Sequence, residues 1–316
     1  MLVRPVQREY RSWTVDSRRW DAYRPREGDV IVATYPKCGT TWMQRIVSLL
    51  IFQTTVAIPL TTISPWVERR FPDSIESVVD TLERQTHRRA VKTHLPFDGV
   101  PIFDEVKYIH ITRDGRDACL SYHNHIHGFS EATLERLDRE GFNDPLIGKP
   151  YPRAPDDPAD FFHEWLVGSA MPGEEDGFSY VSYFNLEDSY WRERGRANLL
   201  MVHFADLLAD LEEEMRRIAD FLDISVPKET WPALLEAASI DTMRKQGAAL
   251  MPNVTQLFDK GAETFFNKGT NGRWQGVFRD DDLALYDAKI AKHFSPGCAA
   301  WHAKGEFAAG APKTLA

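Results

Sequence analysis

The sequence predicts an α/β fold: a single domain with a central, mainly parallel sheet flanked by helices and a P-loop-like strand–loop–helix that binds phosphate. Three observations lead there. Short apolar runs rich in β-branched residues alternate with segments of helical periodicity, the pattern of a parallel sheet wrapped by helices. Between the first run and the first helical segment lies Tyr35–Thr41, a loop with one glycine, one lysine and two threonines. No repeat and no biased linker divides the chain, so residues 1–316 read as one domain. Within it, 1–28 is expected to wrap over the core, and 303–316, rich in Ala, Gly and Lys, to fray.

Composition narrows the function classes. The hydrophobic fraction of 43% and charged fraction of 27% are those of a globular protein in water. A formal charge of −9 argues against a nucleic-acid partner, so any bound anion must be held by local cations working against the global field. Cys38, Cys119 and Cys298 are too far apart for a disulfide framework or a CxxC metal site, which suits a reducing, cytoplasmic location. The chain is charged from Arg4 onward and lacks a signal-peptide apolar core. Its most apolar stretch, Ile46 to Leu60, is interrupted by Gln53, Thr54 and Thr55, so no membrane span is expected.

The elements follow in order. Val30–Ala33 reads as a buried strand, and Met43, Ile46, Val47, Leu50 and Ile51 as one apolar helix face. A loop opening a helix presents unpaired N–H groups and the positive dipole end to an anion; Lys37 adds charge, and Thr40 and Thr41 add donors. The order differs from a Walker A loop, whose lysine follows the second glycine. Arg89–Pro96 is a second strand that carries Lys92 and His94 at its carboxyl end, where ligands of open α/β sheets sit.

A third strand, Lys107–Thr112, runs into Arg113-Asp114-Gly115-Arg116-Asp117 and a helix. Taken alone, that string reads as a helix capped by Asp117 with solvated arginines. His123, His125 and His127 lack an HExxH glutamate and a completing ligand, so they read as core or solvated histidines and no metal is expected. Asn143–Pro158 is loop, long enough for a lid or binding loop. Phe161–Leu166 resumes as helix, and the aromatic run Phe178–Trp191 is mainly core. Asn198–Phe204 is a fourth strand, followed by Asp206 and one amphipathic helix through Phe221. Trp231–Met243 is a further helix, and Arg244–Thr264, with Gly247, Pro252 and Gly261, is irregular.

The string Tyr-Pro-Lys-Cys-Gly-Thr-Thr-Trp at 35–42 resembles the 5′-phosphosulfate loop of the cytosolic-type sulfotransferases, which use 3′-phosphoadenosine 5′-phosphosulfate (PAPS) and usually have Ser in place of Cys38. Further strings are similar to the same family. Lys92-Thr93-His94-Leu95-Pro96 resembles its second signature, which makes His94 the general base and brings Lys92 to the transferring group. Arg113 and Ser121 match its 3′-phosphate positions. Phe161–Leu166 and Ser189-Tyr190-Trp191 resemble segments that border the acceptor pocket, and Arg244–Thr264 resembles its mobile cover. Lys268, Gly269, Gly272 and Trp274 match RKGxxGDW, whereas Asn267 replaces Arg and Arg273 replaces Asp. Phe204 stands where the family has an adenine-holding Tyr. The eukaryotic KxxxTVxxxE dimer element is not visible, as in a bacterial-type member, and the oligomeric state is left open.

The resemblance implies transfer of a sulfuryl group from PAPS to a hydroxyl of a small, partly apolar acceptor. His94, Lys37 and Lys92 would be catalytic. Lys37, Cys38, Gly39, Thr40, Thr41, Trp42, Arg113, Ser121, Phe204, Asn267, Lys268 and Gly269 would bind the nucleotide. Two other readings stand beside it: a P-loop-type small-molecule kinase using ATP and Mg²⁺, with Asp206 imitating a Walker B carboxylate, and a nucleotide-binding protein without turnover.

Overall fold

The structure, a computed structural model, describes residues 1–259, 261, 265 and 269–309. Four parallel strands form the sheet in the order β3-β2-β5-β6: β2 is Val30–Thr34, β3 Ala90–Thr93, β5 Lys107–Thr112 and β6 Leu199–His203. A small antiparallel pair, β1 (Leu2–Arg4) with β4 (Ile102–Phe103), stands apart. Register follows burial. In β2, Ile31 and Ala33 enter a core of tyrosines and tryptophans on one face, whereas Val30 and Val32 enter an aliphatic core on the other. Side chains alternate across a strand, so a sheet covered on both faces needs an unbroken apolar run.

The helix Thr40–Phe52 packs into the aliphatic core with Ile46, Val47, Leu49 and Leu50, and ends at Gln53 in left-handed conformation. Its buried Arg45 donates to the carbonyls of Val56 (2.9 Å) and Thr55 (2.9 Å) and so ties down the exit loop. The N-terminal segment lies along the aromatic core. Trp20 donates to Glu68 (3.1 Å), Trp13 to the Lys149 carbonyl (3.1 Å) and Tyr23 to Asp29 (2.6 Å); Asp29 in turn pairs with buried Arg89.

Several elements differ from expectation, each for a local reason. The segment after β6 is two helices, Phe204–Ala209 and Leu211–Phe221, because Asp210 caps the second by accepting from Glu213 N. Trp231–Met243 is likewise split into Trp231–Ala238 and Ile240–Lys245 at Ser239, which accepts from Thr242 N. Arg244–Thr264 contains two single helical turns, Gly247–Leu250 and Val254–Leu257, as far as it is described. Residues 303–309 are ordered rather than frayed: Ala303 and Lys304 end the helix Pro296–Lys304, Gly305 breaks it, and Asp206 accepts from Glu306 N (2.7 Å) and Phe307 N (3.2 Å), capping the turn Glu306–Ala309. Among the described residues, no helix is long and apolar enough to cross a membrane.

Candidate active site

At the carboxyl ends of β2 and β3, Thr34 meets His94. The imidazole Nδ1 lies 2.9 Å from the Thr34 carbonyl oxygen and 3.1 Å from its Oγ1, which is 2.6 Å from Thr40 Oγ1. A carbonyl only accepts, so Nδ1 carries the proton and Nε2 keeps its lone pair. Burial first, then the neighbouring Lys92, holds the ring's pKa well below the ordinary histidine value. The backbone is gripped from below: Glu68 Oε1 accepts from His94 N (2.8 Å) and Thr93 Oγ1 (3.0 Å), and Trp66 donates to the same carboxylate.

The phosphate loop is built on strained backbone. Lys37 has φ 71° and Gly39 has φ 111°; a Cβ on Gly39 would lie 2.9 Å from Ile111 Cδ1 and 3.0 Å from Phe204, so only glycine closes this turn. Lys37 Nζ is 3.4 Å from His125 Nδ1 and 4.9 Å above the Phe265 ring; Lys92 Nζ is 4.8 Å above the Trp66 ring. Both ammoniums rest on π faces. Burial, with Arg113 nearby, lowers the Lys37 pKa to about 8, and burial with Arg69 nearby lowers that of Lys92 to about 7.

One cavity of about 290 Å³ collects Lys37, Gly39, Thr40, Thr41, Trp42, Lys92, His94, Arg113, Ser121, Phe204 and Gly269. Arg113 lies 4.4 Å over the Phe204 ring and donates to Asn271 Oδ1 (2.8 Å) and the Thr270 carbonyl (2.6 Å). Phe204 is edge-on to Trp42 at 5.2 Å and opens a helix instead of ending the strand. The Cys38 side chain packs in the aromatic core, outside the cavity lining, so only its main chain can reach a ligand. Asn267 and Lys268 lie outside the described residues.

Two aspartates depart from the sequence reading. The helix Gly115–His127 is capped by Asp114, which accepts from Arg116 N (2.9 Å). Asp117 instead accepts from Gly272 N (2.8 Å) and Arg273 N (3.2 Å), docking that turn against the site. Both oxygens of Asp206 are engaged in capping Glu306–Ala309.

The histidine cluster divides. His123 and His127 both donate to the Pro155 carbonyl (2.9 and 2.7 Å), while His125 faces the cavity. Among the described residues, no group of His, Cys, Asp and Glu is arranged to hold a metal ion. Sequence reasoning missed His125, Trp66, Glu68 and Arg69. For His125 a signal existed: Asp117, Ser121 and His125 recur at i+4 on one helix face. Leu257 and Phe258 form part of the cavity's cover, held by Ser130 N (3.0 Å) and Thr133 Oγ1 (3.1 Å) donating to the Leu257 carbonyl.

Residues 27–296 match the family described as "Sulfotransferase domain". The chain is 33% identical over 310 residues to a glycolipid sulfotransferase of Mycobacterium tuberculosis (strain ATCC 25618 / H37Rv), covering 94% of each chain. It is 25% identical over 292 residues to sulfotransferase 1B1 of Mus musculus, covering 90% of this chain and 88% of that one. Its fold superposes on mouse sulfotransferase SULT7A1 complexed with PAP (TM-score 0.65, 20% identity, 89% and 91% of the two chains). It also superposes on retinol dehydratase in complex with androsterone and PAP (TM-score 0.67, 21% identity, 89% and 87%). With the family's domain spanning most of its length and a parallel sheet carrying the phosphate loop, this chain belongs to the sulfotransferase family.

Proposed function

We propose that this enzyme moves the sulfuryl group of PAPS in line to a hydroxyl of a small, partly apolar acceptor, an alcohol or phenol. The observation that carries the reading is the cavity's charge. Lys37, Arg69, Lys92 and Arg113 line it, and no aspartate or glutamate does among the described residues, in a chain of formal charge −9. Such a chamber suits a polyanion. Gly39 caps the helix Thr40–Phe52 without a side chain, so the helix's first N–H groups stay open to a phosphate.

When bound, PAPS supplies the sulfuryl group, and its remainder leaves as adenosine 3′,5′-bisphosphate. His94 Nε2 takes the acceptor's hydroxyl proton, its tautomer set by the Thr34 carbonyl. Lys37 and Lys92 meet the charge that develops on the transferring side; their lowered pKa values rise again beside an anion. The main chain of Lys37–Gly39 with Thr40, Thr41 and Trp42 holds the 5′ end. Arg113, Ser121 and the element at Lys268-Gly269 hold the 3′-phosphate, and the Trp42 and Phe204 rings flank the base. The acceptor wall is largely aromatic and aliphatic, which together with the glycolipid sulfotransferase relatives supports an acceptor with a lipid-like part.

Assay with sulfur-labelled PAPS and a panel of phenols and alcohols, with and without excess chelator, tests this. Transfer that survives the chelator is expected. Phosphoryl transfer from ATP that chelator abolishes and Mg²⁺ restores would favour the kinase reading. Nucleotide binding without transfer to any acceptor would favour a non-catalytic binding protein.

A further inference from the structure

Of the four cations that line the cavity among the described residues, Arg69 is the one to which the reading above gives no contact with the nucleotide. Lys37, Thr40, Trp42, Arg113 and Phe204 stand at the loop end. An apolar part of the lining is built from Trp66, Phe71, Phe129, Leu137, Tyr151 and Phe258, and Trp66 also borders the reacting groups, its ring 4.9 Å from that of His94. Of the cavity's phenols, Tyr122 and Tyr151 Oη lie 2.7 and 2.8 Å from Ser179 Oγ, whereas the buried Tyr180 Oη has no hydrogen-bond partner among the described residues.

Arg69 breaks this apolar wall. It follows the turn Trp66–Arg69, bridges to Val15 of the N-terminal segment, and holds its guanidinium 5.9 Å from the Trp66 ring. Among the described residues its side chain makes no hydrogen bond or close ion pair, the favourable charge of Asp73 acting on it only from farther off, whereas the adjacent Arg70 pairs with Asp144 (3.2 Å) and donates to the Ser12 carbonyl (2.7 Å). A second cation faces the same region: the Arg136 guanidinium lies 4.4 Å over the Phe71 ring, and its charge disfavours that of Arg69. An arginine cannot shed its proton to escape burial, so a guanidinium lining a cavity beside a like charge gains most from an incoming oxyanion. Its planar fork matches a carboxylate, phosphate or sulfate through two parallel bonds.

We infer that Arg69 recognises an oxyanion group on the acceptor, so that the acceptor is an amphiphile whose hydroxyl faces His94 and whose acidic group, a carboxylate or a phosphate or sulfate monoester, reaches Arg69 across the Trp66 ring. The inference rests on the sulfotransferase reading of this cavity.

Calorimetry on the enzyme saturated with adenosine 3′,5′-bisphosphate tests it without requiring turnover. The titrants are ω-(4-hydroxyphenyl)alkanoates of graded chain length, their primary amides, and the corresponding phosphate monoesters. At least one acid should bind about tenfold or more tightly than its own amide. Arg69→Met should bring that ratio close to one, and Arg69→Lys should restore part of it. The carboxylate and phosphate arms decide which oxyanion fits better. Acids no tighter than their amides throughout the wild-type series would overturn the inference, as would a ratio that persists in Arg69→Met. An equal loss of adenosine 3′,5′-bisphosphate affinity in Arg69→Met would assign the guanidinium to the nucleotide and also overturn it. Failure of the wild-type enzyme to bind that nucleotide at all is a different result, and strikes the sulfotransferase reading itself.

Discussion

His94 donates its Nδ1 proton to the carbonyl oxygen of Thr34 at 2.9 Å, so the side chain proposed as base is oriented by the last residue of the strand that feeds the phosphate loop. Loop and base are thereby one rigid unit: Thr34 Oγ1 also contacts Thr40 Oγ1 at the helix start.

Replacing that base tests the assignment. His94→Ala should lower turnover by about 10²–10⁴-fold while adenosine 3′,5′-bisphosphate still binds with nearly wild-type affinity. Single-turnover kinetics beside calorimetry separate the two effects. Turnover close to wild type would remove His94 from the mechanism.

The lysines set a pH dependence on nucleotide binding. A polyanion binds the protonated ammoniums, and in the free protein Lys92 and Lys37 lose their protons near about 7 and about 8. Affinity for adenosine 3′,5′-bisphosphate should therefore fall as pH rises from 6 through 9, and the pKa of each lysine should rise on binding. His94 has its pKa well below the ordinary histidine range, so loss of kcat/KM on the acid side should begin below pH 6.5. Affinity that is flat across this range would mean the ammoniums do not touch the ligand.

Arg113 governs the 3′-phosphate in this reading, and charge-assisted bonds of about 1.5–3 kcal/mol each set the scale. Adenosine 3′,5′-bisphosphate should bind at least about a hundredfold tighter than adenosine 5′-monophosphate. Arg113→Ala should erase most of that gap, because its Asn271 and Thr270 contacts also anchor the 269–274 turn. Equal affinity for both nucleotides in the wild type would eliminate the 3′-phosphate pocket.

A stability prediction concerns Glu187. Its buried Oε2 accepts from His110 Nε2 (2.8 Å) and His302 Nε2 (3.0 Å), joining the sheet to the helix Pro296–Lys304. Burial works to raise its pKa, but the His110 charge and these hydrogen bonds prevail and lower it from 4.5 to about 2. A depressed carboxylate pKa contributes stability that is present above 4.5 and lost as pH falls toward 2. Glu187→Leu should cost about 3–5 kcal/mol at pH 7, and the gap to wild type should narrow at pH 3. Chemical denaturation at both pH values measures it; a constant gap would show that the charge is not what stabilises.

What the sequence by itself determined is local. The strand Val30–Thr34, the loop Tyr35–Gly39 and the helix Thr40–Phe52 were legible because an unbroken apolar run, glycine and helical periodicity act over neighbouring residues, whereas Lys92, His94, Arg113 and Ser121, which line one cavity, were singled out by the resemblance of their strings to a family. Where one side chain outcompeted a propensity, reading failed: Ser239 and Asp210 divide helices that periodicity ran together, and Asp206 holds a C-terminal helix that composition left frayed. The apolar part of the cavity's lining was decided only by tertiary structure. The turn Trp66–Arg69, the helix face of His125, Tyr151 and Phe258 come from four separate segments, and no local spacing brings those segments together. Packing both faces of the sheet does so, and the same packing sets Arg69 against an apolar wall while its neighbour Arg70 reaches Asp144.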